Sequence, residues 1–305
     1  MADIKYMKAV EFDKLPAAFK KAYVSLDVLA SKGYWLQRKY DGCFGAAQVD
    51  YERGRCAMVS RTGEDYSKSC EHILDELHEL AMFNDQFNKM RDSRFMVLGE
   101  AWAEGVPFPQ ISGAFRRQTK GAQRMLSFVM NDLLPSEWQT SRSYEQRFSD
   151  LADFQYVEPC QAPSLQVAET RTDWAAYGTA MQYAMKWQAE GGYDGAILRN
   201  PSAGYTFGLV KQGEIIKVKP LLSLDIKVTD VFVEPGEKTG RDVFSIEVEY
   251  RGVRSKVGSG VPHKAAEVPG RGQIVQIDSL GLTESGALRE PRFIAIRYDK
   301  TESDK

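Results

Sequence analysis

The sequence predicts an α+β domain of antiparallel sheets with helices over residues 1–222, followed by a small all-β barrel over residues 223–305. Three observations lead to this reading. Up to Pro220, apolar residues recur with helical spacing in some stretches and with the two-residue alternation of strands in others. From "LSLDIKVTDVFVEPG" onward only short alternating strands and Gly-rich turns follow, the texture of a five-stranded barrel. A chain of 305 residues with 43 % hydrophobic and 11 % aromatic content has material for one large or two medium cores.

Residues 13–32, "DKLPAAFKKAYVSLDVLASK", show helical apolar spacing and stop at Gly33. A strand follows and runs into "QRKYDGCFGA", where Asp-Gly between apolar runs reads as a hairpin turn beside Lys39. "CFGAAQVDY", "ERGR" and "RCAMVS" continue as a β-meander. The period then changes: "SKSCEHILDELHELAMFNDQFNKM" places Ile73, Leu74, Leu77, Leu80 and Ala81 on one helical face. His72 and His78 lie six residues apart, not at the i,i+4 spacing of a metal pair, and are expected as solvated helix histidines. "RFMVLGEAW" reads as a buried strand with an acid near its end, and "RMLSFVMNDLL" as another apolar strand. Helical stretches at 141–153 and about 170–189 precede the strands "YDGAILRNP" and "GEIIKVKP".

Composition narrows the function classes. No stretch approaches the ~20 apolar residues of a membrane span, and "MADIKYMKAVEFDKL" lacks a signal core, so no membrane partner and a cytoplasmic location are expected. Four cysteines without CxxC pairing and three histidines argue against a zinc site of standard spacing and for reduced thiols. The formal charge is −2, and neither part of the chain is the basic one, so any surface for nucleic acid has to be patterned locally.

Five stretches carry candidate chemistry: "KYDG" with Lys39 and Asp41, "LGEAW" with Glu100, "YDGAILR" with Asp194, "IIKVKP" with Lys217 and Lys219, and "RYDK" with Arg297 and Lys300. Each has a plain structural reading, as strand-end acids, an exposed strand face of period two, or a solvated tail. Lys-x-Asp-Gly by itself is expected by chance roughly 0.1 times in a chain of this length. A lysine near its ordinary pKa of ~10.4 is a poor nucleophile at neutral pH, so attack on phosphorus requires cationic neighbours or desolvation.

In this order the stretches resemble the covalent nucleotidyltransferase superfamily, specifically the ATP-dependent DNA ligases of the small two-domain bacteriophage and bacterial type. "SRTGED", "VGSG" and the closing "TESGALREPRFIAIRYDK" extend the resemblance over nearly the whole chain. It implies an adenylation (nucleotidyltransferase) domain followed by an OB-fold barrel, and a monomer that seals 5′-phosphate/3′-hydroxyl nicks in duplex DNA in replication, repair or recombination. It implies that Lys39 attacks the α-phosphate of ATP, and that the AMP then passes to the nick before the 3′-hydroxyl displaces it. Lys217 and Lys219 are then the pair at the α-phosphate, Asp41 the acid on the ribose side, and Glu100 and Asp194 the ligands of Mg²⁺ or Mn²⁺. Arg61 is implied near the ribose and the incoming phosphate, Gln37 at the adenine amino group, and Phe128 stacked on the base. In the barrel, Arg297 and Lys300 are implied at the pyrophosphate. Arg116, Arg117, Lys120 and Arg124 are candidate DNA-phosphate contacts, backbone rather than base readers.

The pattern departs from many relatives at four positions. Phe44 stands where they carry Arg, Asp194 where Glu is common, Arg199 where Lys is frequent, and Gln37 where Glu is usual. RNA ligases and messenger-RNA capping guanylyltransferases share the lysine motif, but "LRxPRF", "VGSG" and the terminal barrel point to DNA ligases. From another class, a catalytically inactive nucleic-acid-binding module has little physical use for three lysines around one phosphate.

Overall fold

A computed structural model describes residues 6–50, 53–83, 94–117, 123–134, 140–155, 162–236, 240–283 and 285–304. The chain divides into two compact units, Met1–Lys219 and Pro220–Lys305. In unit one the elements are β1 (Val10–Glu11), α1 (Ala17–Ala22), α2 (Leu26–Ser31), β2 (Trp35–Tyr40), β3 (Cys43–Asp50), β4 (Arg55–Val59), α3 (Glu71–Phe83), β5 (Arg94–Trp102) and α4 (Phe108–Phe115). They continue with β6 (Ser127–Leu134), α5 (Tyr144–Gln155), β7 (Leu165–Val167), β8 (Thr170–Arg171), α6 (Ala180–Glu190), β9 (Tyr193–Arg199) and β10 (Ile215–Val218).

Two five-stranded sheets form, ordered β1-β10-β9-β2-β8 and β4-β3-β5-β6-β7. They are antiparallel except for the pairs β1·β10 and β6·β7, which are parallel. Strand alternation divides the apolar residues between two faces of each sheet. Ala47, Val49 and Val97 pack with α3 and α4 residues such as Leu77, Leu80 and Ile111. Leu36, Ala196 and Leu198 pack with Phe19, Leu29, Ala184 and Trp187 of α1, α2 and α6. The opposite faces meet each other through Ala46, Met96, Leu98, Tyr205 and Ile215, with Phe44 and Ile197 at the margin. Unit one is thus two sheets face to face, with helices outside both.

Several expectations need correction. The helix expected over 13–32 is broken: Ser25 is extended at φ −155 and ψ 167, separating α1 from α2. The stretch near 170–189 begins as the edge strand β8, and its helix starts only where Thr179 and Gln182 form a capping box. His72 is buried rather than solvated, and its Nε2–H donates to the Leu126 carbonyl at 2.9 Å, which fastens α3 to the chain entering β6. The Asp-Gly hairpin does not exist either. β2 and β3 lie in different sheets. The Asp41 N–H donates to the Gly192 carbonyl at 3.0 Å, and Gly42 presses so close to β5 that a Cβ there would stand 2.4 Å from the Ala101 carbonyl oxygen. Asp-Gly is a sheet-to-sheet joint whose glycine allows close approach.

Unit two contains β11 (Leu222–Pro235), β12 (Asp242–Tyr250), β13 (Val253–Val257), β14 (Ile274–Ser279) and β15 (Arg292–Ile296) in the sheet order β13-β12-β11-β14-β15. The long β11 pairs with β14 through its first half and with β12 through its second. The ladders leave the order open, with an isolated parallel bridge from Ser259 to Arg292. Ile226, Val228, Ile246, Val248, Val257, Val275 and Ile277 form its core.

Candidate active site

Lys39 owes its placement to a β-bulge. Opposite β2, Arg38 pairs with Ala196 and Tyr40 with Tyr193, so Asp194 and Gly195 together face the single residue Lys39. Gly195 takes φ +109, a conformation L side chains rarely adopt. The bulge turns the Asp194 carboxylate toward the lysine: Lys39 Nζ is 2.8 Å from Asp194 Oδ2, and Lys219 Nζ, just beyond β10, is 2.6 Å from the same oxygen. Burial by itself raises the Asp194 carboxyl pKa, but the two ammonium groups outweigh it and hold the carboxyl below its usual range. Asp194 Oδ1 is buried without a hydrogen-bond partner.

Glu100 reaches the same space from β5, in the other sheet. It is directly opposite Phe44 on β3, and directly opposed residues project from one face. Burial pushes its carboxyl up to about 7; the charges of Lys39 and Arg61 oppose that rise, and those of Asp41 and Asp194 add to it. These five side chains, drawn from distant stretches of sequence, therefore share one electrostatic environment. Lys217 is held differently, by Glu11 of the edge strand β1 at 2.9 Å. Glu11 escaped sequence reasoning because its only signal is a two-residue parallel pairing. Arg61 projects from the turn after β4, its guanidinium carbon 4.3 Å from the centre of the Phe44 ring.

Two expected base contacts have other surroundings. Gln37 is 2 % exposed; its amide donates to Tyr144 Oη and to Thr170 Oγ1 at 2.7 Å each, while its oxygen accepts from Arg199 Nε at 3.0 Å. It belongs to a buried polar cluster in which Arg147 grips Asp132 with two hydrogen bonds of 2.7 and 3.1 Å. Phe128 is 0 % exposed, and a Cβ on Gly99 would stand 2.8 Å from its ring. It is core and offers no face to a stacked base.

Arg116, Arg117 and Arg124 are exposed near the end of α4 and before β6, and Lys120 lies outside the described residues. In unit two, Arg297 makes two hydrogen bonds of 2.9 and 2.8 Å to the buried Asp225 and two more to Asp299. Lys300 ion-pairs with Asp225 as well. Hydrogen bonds from Arg297 lower the Asp299 carboxyl to about 2. Among the described residues no three His, Cys, Asp or Glu side chains converge as a ready-made metal cluster.

Residues 6–219 match the family model of the ATP dependent DNA ligase domain. Among solved structures, the protein called Pmar-Lig_Pre superposes with a TM-score of 0.71 at 19 % identity, over 98 % of this chain and 68 % of its own. A structure from work on Lig E DNA ligases gives 0.66 at 20 % identity, over 96 % and 98 %. The ATP-dependent DNA ligase from bacteriophage T7, in complex with ATP, gives 0.52 at 22 % identity, over 96 % and 98 %. At these identities the likeness is one of fold. No curated protein sequence matches the chain.

Proposed function

We propose a reaction for this chain from one premise: it belongs to the ATP-dependent DNA ligase family. The proposed reaction is the sealing of 5′-phosphate/3′-hydroxyl nicks in duplex DNA, with Lys39 as the residue that carries AMP. The observation that carries it is the shared carboxylate, with Lys39 and Lys219 on one oxygen of Asp194 at 2.8 and 2.6 Å. In the first step Lys39 Nζ gives up a proton to solvent water and attacks the α-phosphorus of ATP. A P–N bond forms, the bond to the bridging oxygen breaks, and pyrophosphate leaves. The AMP next moves to the 5′-phosphate of the nick, and the 3′-hydroxyl then displaces it.

The residues supply position and charge, which dominate phosphoryl transfer. Asp194 aligns the amine, and Lys219 and Lys217 neutralise the α-phosphate. Arg61 serves the ribose and the incoming phosphate, and Asp41 the ribose side. The donor set fits a hard divalent cation: Asp194 Oδ1 lacks a partner, and Glu100 is a carboxyl whose ionisation burial opposes. Glu100 and Asp194 would hold Mg²⁺ or Mn²⁺. When bound, the ion supplies charge neutralisation at the phosphate oxygens. For unit two we propose an OB-fold that grips the DNA backbone, a reading supported by the five-strand order and the Ser259–Arg292 bridge. Arg297 and Lys300 would exchange Asp225 for the pyrophosphate. Arg116, Arg117 and Arg124 are proposed as DNA-phosphate contacts on exposure alone, and the chain acts as a monomer.

Incubation with Mg²⁺ and α-labelled ATP or GTP, followed by denaturation, tests the proposal. The expected result is an adenylate adduct that Lys39→Ala abolishes, with sealing of nicked DNA. A guanylate adduct, no adduct at all, or sealing confined to nicked RNA overturns it.

A further inference from the structure

The departure at position 44 has a counterpart in space. Here the β3 position is Phe44, and the cation standing over it is Arg61, whose guanidinium carbon lies 4.3 Å from the ring centre. That is well inside the ~6 Å reach of a cation–π contact. Both ends of the contact are anchored. Phe44 is fixed in β3 opposite Glu100, and Tyr6 packs on it with ring centres 5.2 Å apart and planes at 50°. Arg61 sits in a turn tied by Ser60, whose N–H donates to the Glu64 carbonyl at 2.8 Å and whose hydroxyl accepts from the Thr62 and Glu64 N–H groups at 3.3 and 3.1 Å.

We propose that Phe44 is a positioning residue: its ring holds the Arg61 guanidinium over the Glu100 side of the site. This rests on the reading of the pocket as a lysine-adenylation site. The effect of the ring passes through Arg61. Two consequences follow. An aromatic residue suffices at position 44, whereas an aliphatic one of similar size does not. The influence of position 44 on catalysis disappears when Arg61 is absent.

A double-mutant cycle tests this, with Phe44→Leu, Phe44→Trp, Arg61→Ala and Phe44→Leu/Arg61→Ala assayed for KM and kcat of lysyl-AMP formation, for sealing of a pre-adenylated nick, and for melting temperature. Phe44→Leu is expected to lower kcat/KM for ATP roughly 2- to 5-fold, the size of one partly exposed cation–π contact. Phe44→Trp is expected to retain wild-type values, and Phe44→Leu to have no further effect in the Arg61→Ala background. The same loss from Phe44→Leu in both backgrounds, or a loss from Phe44→Trp equal to that from Phe44→Leu, overturns the proposal. Wild-type protein that forms no Lys39 adduct overturns the underlying reading of the site instead, so the two failures are distinguishable. Phe44→Trp and Arg61→Ala keep the test open if Phe44→Leu does not fold.

Discussion

Replacing Glu100 with Gln is expected to stabilise the protein and inactivate it. The carboxyl pKa rises from 4.5 to about 7 because burial in the site opposes its charged form. Between those values the folded state keeps a proton that the unfolded chain releases, so stability falls as pH rises through the window. Below 4.5 both states are protonated and the group costs nothing; above 7 the whole cost is present. At about 1.36 kcal/mol per pKa unit the full shift sets a ceiling of roughly 3 kcal/mol, and partial exposure of the side chain reduces this to about 1–2 kcal/mol. The assay is urea unfolding in EDTA at about pH 5 and about pH 8, comparing Glu100→Gln with wild type so that other titrations cancel. All five tryptophans precede residue 220, so their fluorescence follows unit one alone. The expected result is a near-zero difference at the lower pH, a gain for the variant at the higher pH, and loss of adduct formation. An equal difference at both pH values, or a less stable variant at the higher pH, refutes the reasoning.

Other perturbations have defined outcomes. Gly195→Ala forces an L side chain into φ +109 and should cost about 1–3 kcal/mol in urea titrations while lowering lysyl-AMP formation at least about tenfold, because the bulge that aims Asp194 relaxes. Asp225→Asn removes the anion shared by Arg297 and Lys300, so unit two should melt at lower temperature in differential scanning calorimetry. Burial raises the thiols of Cys56 to about 11 and Cys70 to about 12, so iodoacetamide at about pH 8 should label them slowly in the native protein and rapidly in urea, as followed by mass spectrometry.

Where local pattern and final environment agree, the structure was legible in the sequence. "RFMVLGEAW" announces β5, buried except at its first residue and Glu100. "YDGAILR" announces β9, and the five short strands after Pro220 are all present. Lys39, Asp194 and Lys219 could be named from spacing and resemblance, and they do meet. What stayed hidden depends on partners distant in sequence. Asp-Gly looks like a hairpin because the signal is local, whereas the choice of sheet for β2 and β3 is made by β9 and β5. Strict alternation puts Gln37 on the side of Lys39, but its amide is already taken up by Tyr144, Thr170 and Arg199, partners distant in sequence. His72 reads as solvated until the Leu126 carbonyl reaches it. Phe128 has the composition of a stacking aromatic, but it is fully buried, packed against Gly45 and Gly99.

Those glycines give Phe128 a role of another kind. Gly45 and Gly99 are paired across β3 and β5, and a Cβ on either would meet the Phe128 ring at 3.1 or 2.8 Å. The ring acts as a shim beneath two strands that have no side chains at that point. The immediate neighbours of the two glycines are Phe44 and Glu100, so the thickness of the shim sets the level at which both are presented. Residues 45, 99 and 128 thus form one volume, and a change in any of them has to be absorbed by the others. The geometry of the candidate site can be retuned from underneath, through a phenylalanine that never reaches the surface.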